Sequence, residues 1–275
     1  MLRLVALLAA AVLLCAQDGA TRENWPHYGG QTNAWRYSAL DQVNAGNVKT
    51  LTPVWSFQTG DNEGGLQATP IVVDGVMYIS TSHNRVYAID AASGRELWSY
   101  HFELPKGFTI FYGPWNRGVA VADGRVFMGT LDNHVVAIDA KNGRELWKVN
   151  VEDANQCGCN ITGAPLVVKG KVILGVTGGD SAHRGYINAF DVKTGRQLWR
   201  FWTIPGPGEK GHETWTGESW KSGGGAAWMT GSYDADLNLT YWSVGNPAAD
   251  FWGGNRIGDN LYTDCLLYTS DAADE

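Results

Sequence analysis

The ten residues VTGGDSAHRG, 176 to 185, place one carboxylate directly behind two glycines in a stretch too glycine-rich for a regular strand or helix. Asp180 has two readings there. An aspartate after glycines is an ordinary turn former, its side chain accepting from nearby backbone amides. A carboxylate on a tight loop is equally an oxygen ligand for a hard cation such as Ca²⁺. The ten residues alone leave both open, while Arg184 beside them reads as structural. Upstream, QCGCN carries Cys157 and Cys159. Two cysteines two apart supply too few thiolates for a structural zinc site, and a bridge between them closes a tight ring. A local disulfide or free thiols are therefore expected in preference to a redox centre.

The elements that must position these groups are legible in composition and repetition. The chain has 275 residues, enough for one large domain burying roughly three quarters of its unfolded surface. Its 35 Gly, 13 Trp and 11 Tyr, against only 18% charged residues, favour a turn-rich β architecture with many aromatic anchors. A formal net charge of −7 argues against a nucleic-acid partner, which calls for a basic stripe. It leaves room for a small positively charged partner protein. The first residues, MLRLVALLAAAVLLCAQDGA, carry one Arg and an apolar run from Leu4 to Cys15 that is too short to span a bilayer. Residues 1–17 read as a secretory signal peptide, with lipoprotein processing at Cys15 ranked second, so export to the periplasm is expected.

Aligning the chain on itself shows a repeat of about fifty residues. VYAIDAASGRELW ends at Trp98, VVAIDAKNGRELW at Trp147 and INAFDVKTGRQLW at Trp199. Ahead of each lies a pair of alternating apolar runs around Asp74-Gly75, Asp123-Gly124 or Lys169-Gly170, the two-residue hairpin signature. Four short antiparallel strands per repeat make one blade of a β-propeller. The fixed Ala and Trp of each repeat suit packing between neighbouring blades, the small residue making room for an indole from alongside. A partial fourth unit follows in AAWMTGSYDADLNLTYWSVGN.

The A-x-D-x-x-x-G-x-x-x-W repeat resembles the tryptophan-docking motif of the quinoprotein alcohol dehydrogenases, eight-bladed all-β propellers that hold pyrroloquinoline quinone (PQQ). The likeness runs from NWPHYGG to about Thr263 and covers about the first half of that propeller, so residues 18–263 are expected to form roughly four blades. The resemblance implies a cofactor site. In FYGPWNRG, Arg117 matches the family arginine on the quinone oxygens, a task suited to forked, permanently charged donors. Thr162 in NITGAP matches a threonine that binds a PQQ carboxylate. Trp228 in SGGGAAW matches the indole on which the quinone stacks. Thr177, Gly178 and Gly179 match a loop whose backbone touches PQQ. Asp180 in that loop and Asn246 in SVGNPAADF match the ligands of a Ca²⁺ or lanthanide ion, and Gln67 in GLQATP aligns with a family glutamate at the cofactor. Three departures stand out: Asp180 replaces the usual Glu, Gln67 loses a charge, and Phe111-Tyr112 replaces adjacent cysteines that bridge over the quinone. A different roof over the cofactor is implied.

In the family the metal acts as a Lewis acid on the quinone, an aspartate takes the alcohol's proton, hydride passes to the quinone, and electrons leave to a cytochrome c or similar acceptor. That catalytic aspartate lies beyond the GDNLYT segment, so no catalytic residue is assigned. The final residues, 264–275, break the pattern in DCLLYTSDAADE, which resembles the translation of a transposon-end sequencing adapter. They are expected to be non-native, and the chain to be an inactive fragment. The competing reading is a non-catalytic propeller scaffold for protein interactions in the cell envelope.

Overall fold

A computed structural model describes residues 24–61, 63–181 and 183–270. The expected signal peptide and residues 271–275 lie outside the described residues. Three four-stranded antiparallel sheets succeed one another along the chain. The first holds β1 (Ile71–Val73), β2 (Val76–Thr81), β3 (Arg85–Asp90) and β4 (Glu96–His101). The second holds β5 (Ala120–Ala122), β6 (Arg125–Gly129), β7 (His134–Asp139) and β8 (Glu145–Asn150). After a single helical turn, α1 (Ala154–Cys157), come β9 (Leu166–Val168), β10 (Lys171–Gly175), β11 (Tyr186–Asp191) and β12 (Gln197–Trp202). The expected hairpin pairs Asp74-Gly75, Asp123-Gly124 and Lys169-Gly170 all adopt positive φ at both positions, the backbone a two-residue turn demands.

Period-two alternation decides which side chains face which neighbour. Val126 and Met128 of β6 join Val86, Ala88 and Trp98 in an apolar cluster between the first two sheets. Phe127, one residue out of phase, points the other way and packs with Val172, Leu174 and Phe190 of the third. The core therefore consists of successive inter-sheet layers, as in stacked propeller blades.

The tryptophans lock these layers, but not by the device expected from the repeat. Ala88, Ala137 and Ala189 pair across the ladder with Trp98, Trp147 and Trp199 of their own sheets. Space for the neighbour's indole comes instead from the repeat's glycine. A Cβ on Gly143 would stand 2.8 Å from the Trp98 ring, and one on Gly195 equally close to Trp147. Each indole then donates to a carbonyl of the adjacent sheet's turn: Trp98 Nε1 to Ala140 O at 3.0 Å, Trp147 Nε1 to Val192 O at 3.2 Å. Trp55 docks on the first sheet in the same way, through Ala91 O at 3.1 Å. The repeat's aspartate shapes that turn, Asp90, Asp139 and Asp191 each accepting from backbone amides two or three residues on.

The fourth sheet contains β13 (Ser232–Asp234), β14 (Leu239–Ser243) and β15 (Leu266–Ser270). The tail that breaks the repeat's sequence pattern contributes the last of these strands. Residues 266–270 pair antiparallel with β14, Trp242 opposite Leu267 and Tyr241 opposite Tyr268. The physical reason is that Leu-Leu-Tyr-Thr-Ser has β-forming character and β14 would otherwise present an unpaired edge.

Candidate cofactor site

Five connecting segments converge at one end of the sheets: those before β5, before β9, after β10, before β13 and after β14. They enclose a cavity of about 180 Å³. Eight of the nine residues expected from the sequence line it: Arg117, Thr162, Thr177, Gly178, Gly179, Asp180, Trp228 and Asn246. Gln67 does not; it lies exposed in the loop ahead of β1.

Backbone pairing holds the segments in register. Arg117 N–H donates to Thr162 O at 2.8 Å, and Thr177 N–H to Asn160 O at 2.9 Å. Gly225 N–H donates to Asn246 O, and Gly245 N–H to Ala226 O. Two glycines permit the approach. Gly178 has φ +106°, and a Cβ on it would stand 2.9 Å from Cys159 Cβ; a Cβ on Gly163 would stand 2.7 Å from Trp228 O.

The half-buried Arg117 guanidinium donates to Thr162 Oγ1 and sits 4.8 Å from the centre of the Trp228 ring. Among the described residues it has no carboxylate partner. Burial pushes its pKa down from the ordinary arginine value, opposed in part by Tyr28. A buried, uncompensated cation beside a broad aromatic face calls for an anionic, flat ligand.

The cavity also carries an acidic group. Asp180 occupies a single 3-10 turn, Gly179–Ser181, at the mouth. Asn246 Nδ2 donates to Asp180 Oδ1 at 3.1 Å and to Asp250 Oδ1 at 2.9 Å. Two carboxylates thus close on one amide nitrogen, with no Lys, Arg or His bridged to either among the described residues. Rotating that amide by half a turn would present its oxygen in place of its nitrogen. The set then becomes three oxygen donors, which suits a hard cation. Asp250 was missed in the sequence; its signal is a carboxylate four residues after Asn246 in NPAAD.

Asn160 and Trp115, which also line the cavity, were missed. Asn160 is fully buried and donates through Nδ2 to Phe111 O at 3.0 Å, while its Oδ1 and backbone oxygen accept from the Thr177 hydroxyl. Of the Phe111-Tyr112 pair that replaces the family's cysteines, Tyr112 faces the cavity. It is 44% exposed, and its hydroxyl donates to Ser181 Oγ at 2.6 Å across the mouth.

Behind the Gly178–Ser181 loop, Cys157 and Cys159 form a disulfide, one of the two states expected. Near it His183 is 5% exposed; burial, with a smaller contribution from Arg200, pushes its pKa down to about 4. Arg184 is structural, as expected: its guanidinium lies 4.1 Å from the Trp202 ring and donates to Ile204 O and Glu209.

Residues 25–269 match the PQQ family described as glucose/ethanol/alcohol dehydrogenase, beta-propeller domain. The chain belongs to that family. Among curated relatives, it is 40% identical over 250 residues to quinoprotein alcohol dehydrogenase PedH of Pseudomonas putida KT2440, covering 84% of this chain and 42% of that protein. It is likewise 40% identical over 261 residues to the quinohemoprotein alcohol dehydrogenase of Comamonas testosteroni, covering 89% of this chain and 37% of that one. Among solved structures, quinohemoprotein alcohol dehydrogenase ADHIIG of Pseudomonas putida HK5 superposes with a TM-score of 0.82 at 38% identity, over 92% of this chain and 39% of its own. A europium-containing methanol dehydrogenase gives 0.81 at 35% identity, over 91% and 47%. The chain thus spans about two fifths of the length of the curated relatives it matches. The quinoprotein family is one of oxidoreductases acting on CH–OH groups, and its propeller is the fold expected from the repeats.

Proposed function

We propose that this quinoprotein chain carries one wall of a PQQ site and that the whole protein oxidises an alcohol. The observation that carries the reading is the pairing, at one cavity, of the uncompensated Arg117 beside Trp228 with the Asp180–Asn246–Asp250 oxygen set. PQQ is flat and polyanionic; the first half of that pairing fits its rings and charges, and the second fits a Ca²⁺ or lanthanide ion. When bound, PQQ supplies the two-electron acceptor for the alcohol's hydride, and the cation polarises it.

The chain's own residues bind and orient. Trp228 offers an indole face for stacking. Arg117, beside that face, would offer forked, permanently charged donors to the quinone's oxygens. Thr162 offers a hydroxyl to a carboxylate, and Thr177, Gly178 and Gly179 bring backbone close. Asp180 and Asn246 act as metal ligands, with Asp250 adjoining them. Asp180 is a ligand, not a proton acceptor: it is tied to Asn246 and stands in the acidic group. Tyr112, latched to Ser181, covers the mouth where the family has its bridged cysteines, and helps exclude water.

Electrons then pass to a cytochrome c or a similar acceptor, and the signal-like sequence of residues 1–17 supports a periplasmic location. The occurrence of a europium-containing methanol dehydrogenase among similar structures supports a lanthanide as the alternative to Ca²⁺. Alcohol-dependent dye reduction by the full-length protein, loaded with PQQ and Ca²⁺ or a lanthanide, tests the function. Absence of reduction with every primary alcohol, despite bound PQQ, overturns it. The 275-residue chain alone is expected to show none, because its sheets supply only one arc of the ring around the cofactor.

A further inference from the structure

The Cys157–Cys159 bridge lies behind the Gly178 backbone that lines the cofactor cavity, and its other side borders a second cavity. On the inner side Cys159 is fully buried and backs directly onto Gly178. Its Sγ accepts from Asn133 Nδ2 at 3.3 Å, and Asn133 is itself fully buried. On the outer side Cys157 is half-buried and lines a second, polar cavity of about 580 Å³, which also holds His183, Arg184, Glu152 and Lys221. An imidazole nitrogen of His183 lies within 4.8 Å of both sulfurs. Next to the bridge two buried polar atoms lack partners, His183 Nε2 and Asn133 Oδ1. Asn133 Oδ1 is an acceptor, and so is whichever ring nitrogen of a neutral His183 carries no proton; a thiol S–H can satisfy such an acceptor and a disulfide cannot.

We propose that Cys157–Cys159 is a thiol–disulfide exchange site for a small-molecule thiol. The thiolate enters the outer cavity and attacks Cys157 Sγ, the accessible sulfur. A bond forms between the incoming sulfur and Cys157 as the Cys157–Cys159 bond breaks. The electron pair leaves on Cys159, whose thiolate is held by the Asn133 amide, a donor already aimed at it. A second thiolate attacks the small molecule's sulfur in the mixed disulfide and releases Cys157. In sum, two small thiols are oxidised by two electrons to their disulfide, the bridge is reduced by two electrons, and the two protons end on Cys157 and Cys159. The asymmetry follows from what governs exchange: access to the attacked sulfur and stabilisation of the leaving one. Since Cys159 backs Gly178, the exchange acts on the rear of the loop that carries Asp180.

The test needs no cofactor, so its outcome is independent of the PQQ reading. Cys159→Ser leaves the outer thiol and Cys157→Ser the inner one, each in the full chain. Challenged with oxidised glutathione and followed by intact mass, the Cys159→Ser protein is expected to form its mixed disulfide at least tenfold faster. Wild type under excess reduced glutathione is expected to pass through one adduct, mapped to Cys157. Asn133→Ala is expected to slow that step; a misfolded variant would expose the bridge and quicken it, so the direction separates the two causes. The proposal is overturned if the adduct maps to Cys159, if the two single variants react alike, or if the wild-type bridge is reduced only at the rate of global unfolding.

Discussion

Asn246 Nδ2 donates to Asp180 Oδ1 at 3.1 Å, joining the loop after β14 to the loop after β10. The same nitrogen reaches Asp250 at 2.9 Å, so one neutral amide serves two carboxylates. Like charges held together without a counter-ion repel, and a cation removes that cost. Terbium(III), whose luminescence a nearby tryptophan sensitises, is expected to bind the chain at one site. Asp180→Asn and Asp250→Asn are each expected to weaken it at least tenfold, read by titration of the sensitised emission. Equal affinity in Asp250→Asn would remove that residue from the set.

Arg117 separates stability from binding. Arg117 is half-buried with no carboxylate partner, so the desolvation it pays offsets much of what its contacts with Thr162 and Trp228 contribute to folding. Arg117→Leu is expected to leave the urea midpoint nearly unchanged while lowering affinity for PQQ at least tenfold. Loss of stability together with binding would mark the residue as structural.

The docking of Trp98 on Gly143 predicts the cost of a single methyl. Gly143 has φ +74°, and its Cβ would stand 2.8 Å from the indole. Combining left-handed strain with overpacking, Gly143→Ala is expected to destabilise by about 2 to 4 kcal/mol in urea unfolding. Gly124, also at positive φ but with open space around it, is expected to cost less when changed to Ala, since only the backbone strain applies.

His183 gives a pH dependence of definite sign. Its folded pKa is about 4 against the ordinary 6.5, so between these values the unfolded chain binds a proton that the folded chain does not. Stability therefore falls as pH drops from 6.5 towards 4, by about 3 kcal/mol from this group. His183→Gln is expected to flatten the stability-versus-pH curve in that window relative to wild type, and no difference between the two curves would contradict the burial argument.

The propeller was legible because each repeat writes its own turn chemistry: Asp-Gly or Lys-Gly for the hairpin, Asp and Gly for the outer turn, Trp at the end. What the repeat did not tell was the partner of each residue. Ala88 and Trp98 occur at fixed spacing because they pair within one sheet, whereas Trp98 and Gly143 meet across two, and spacing alone carries both relations alike. Eight of the residues expected at the site come to one cavity because loops after fixed strands must arrive at one end of the stack. Gln67 escaped that logic, lying in a long connection before β1 that no repeat constrains. Asp250 and Asn160 were missed for the opposite reason, being ordinary loop residues that acquire a role only when Asn246 and Thr177 are brought beside them. The strand at 266–270 was not legible because a sequence that matches no motif still forms a strand when an open edge accepts it.

The most direct test of the account is a PQQ titration of the chain with Ca²⁺ present, followed by tryptophan fluorescence. Trp228 is 39% exposed in the cavity, so saturable quenching is predicted, dependent on Ca²⁺, abolished by Trp228→Ala and weakened at least tenfold by Arg117→Leu and Asp180→Ala. Quenching that does not saturate, or that is the same in all three variants, would contradict the assignment of this cavity to the quinone.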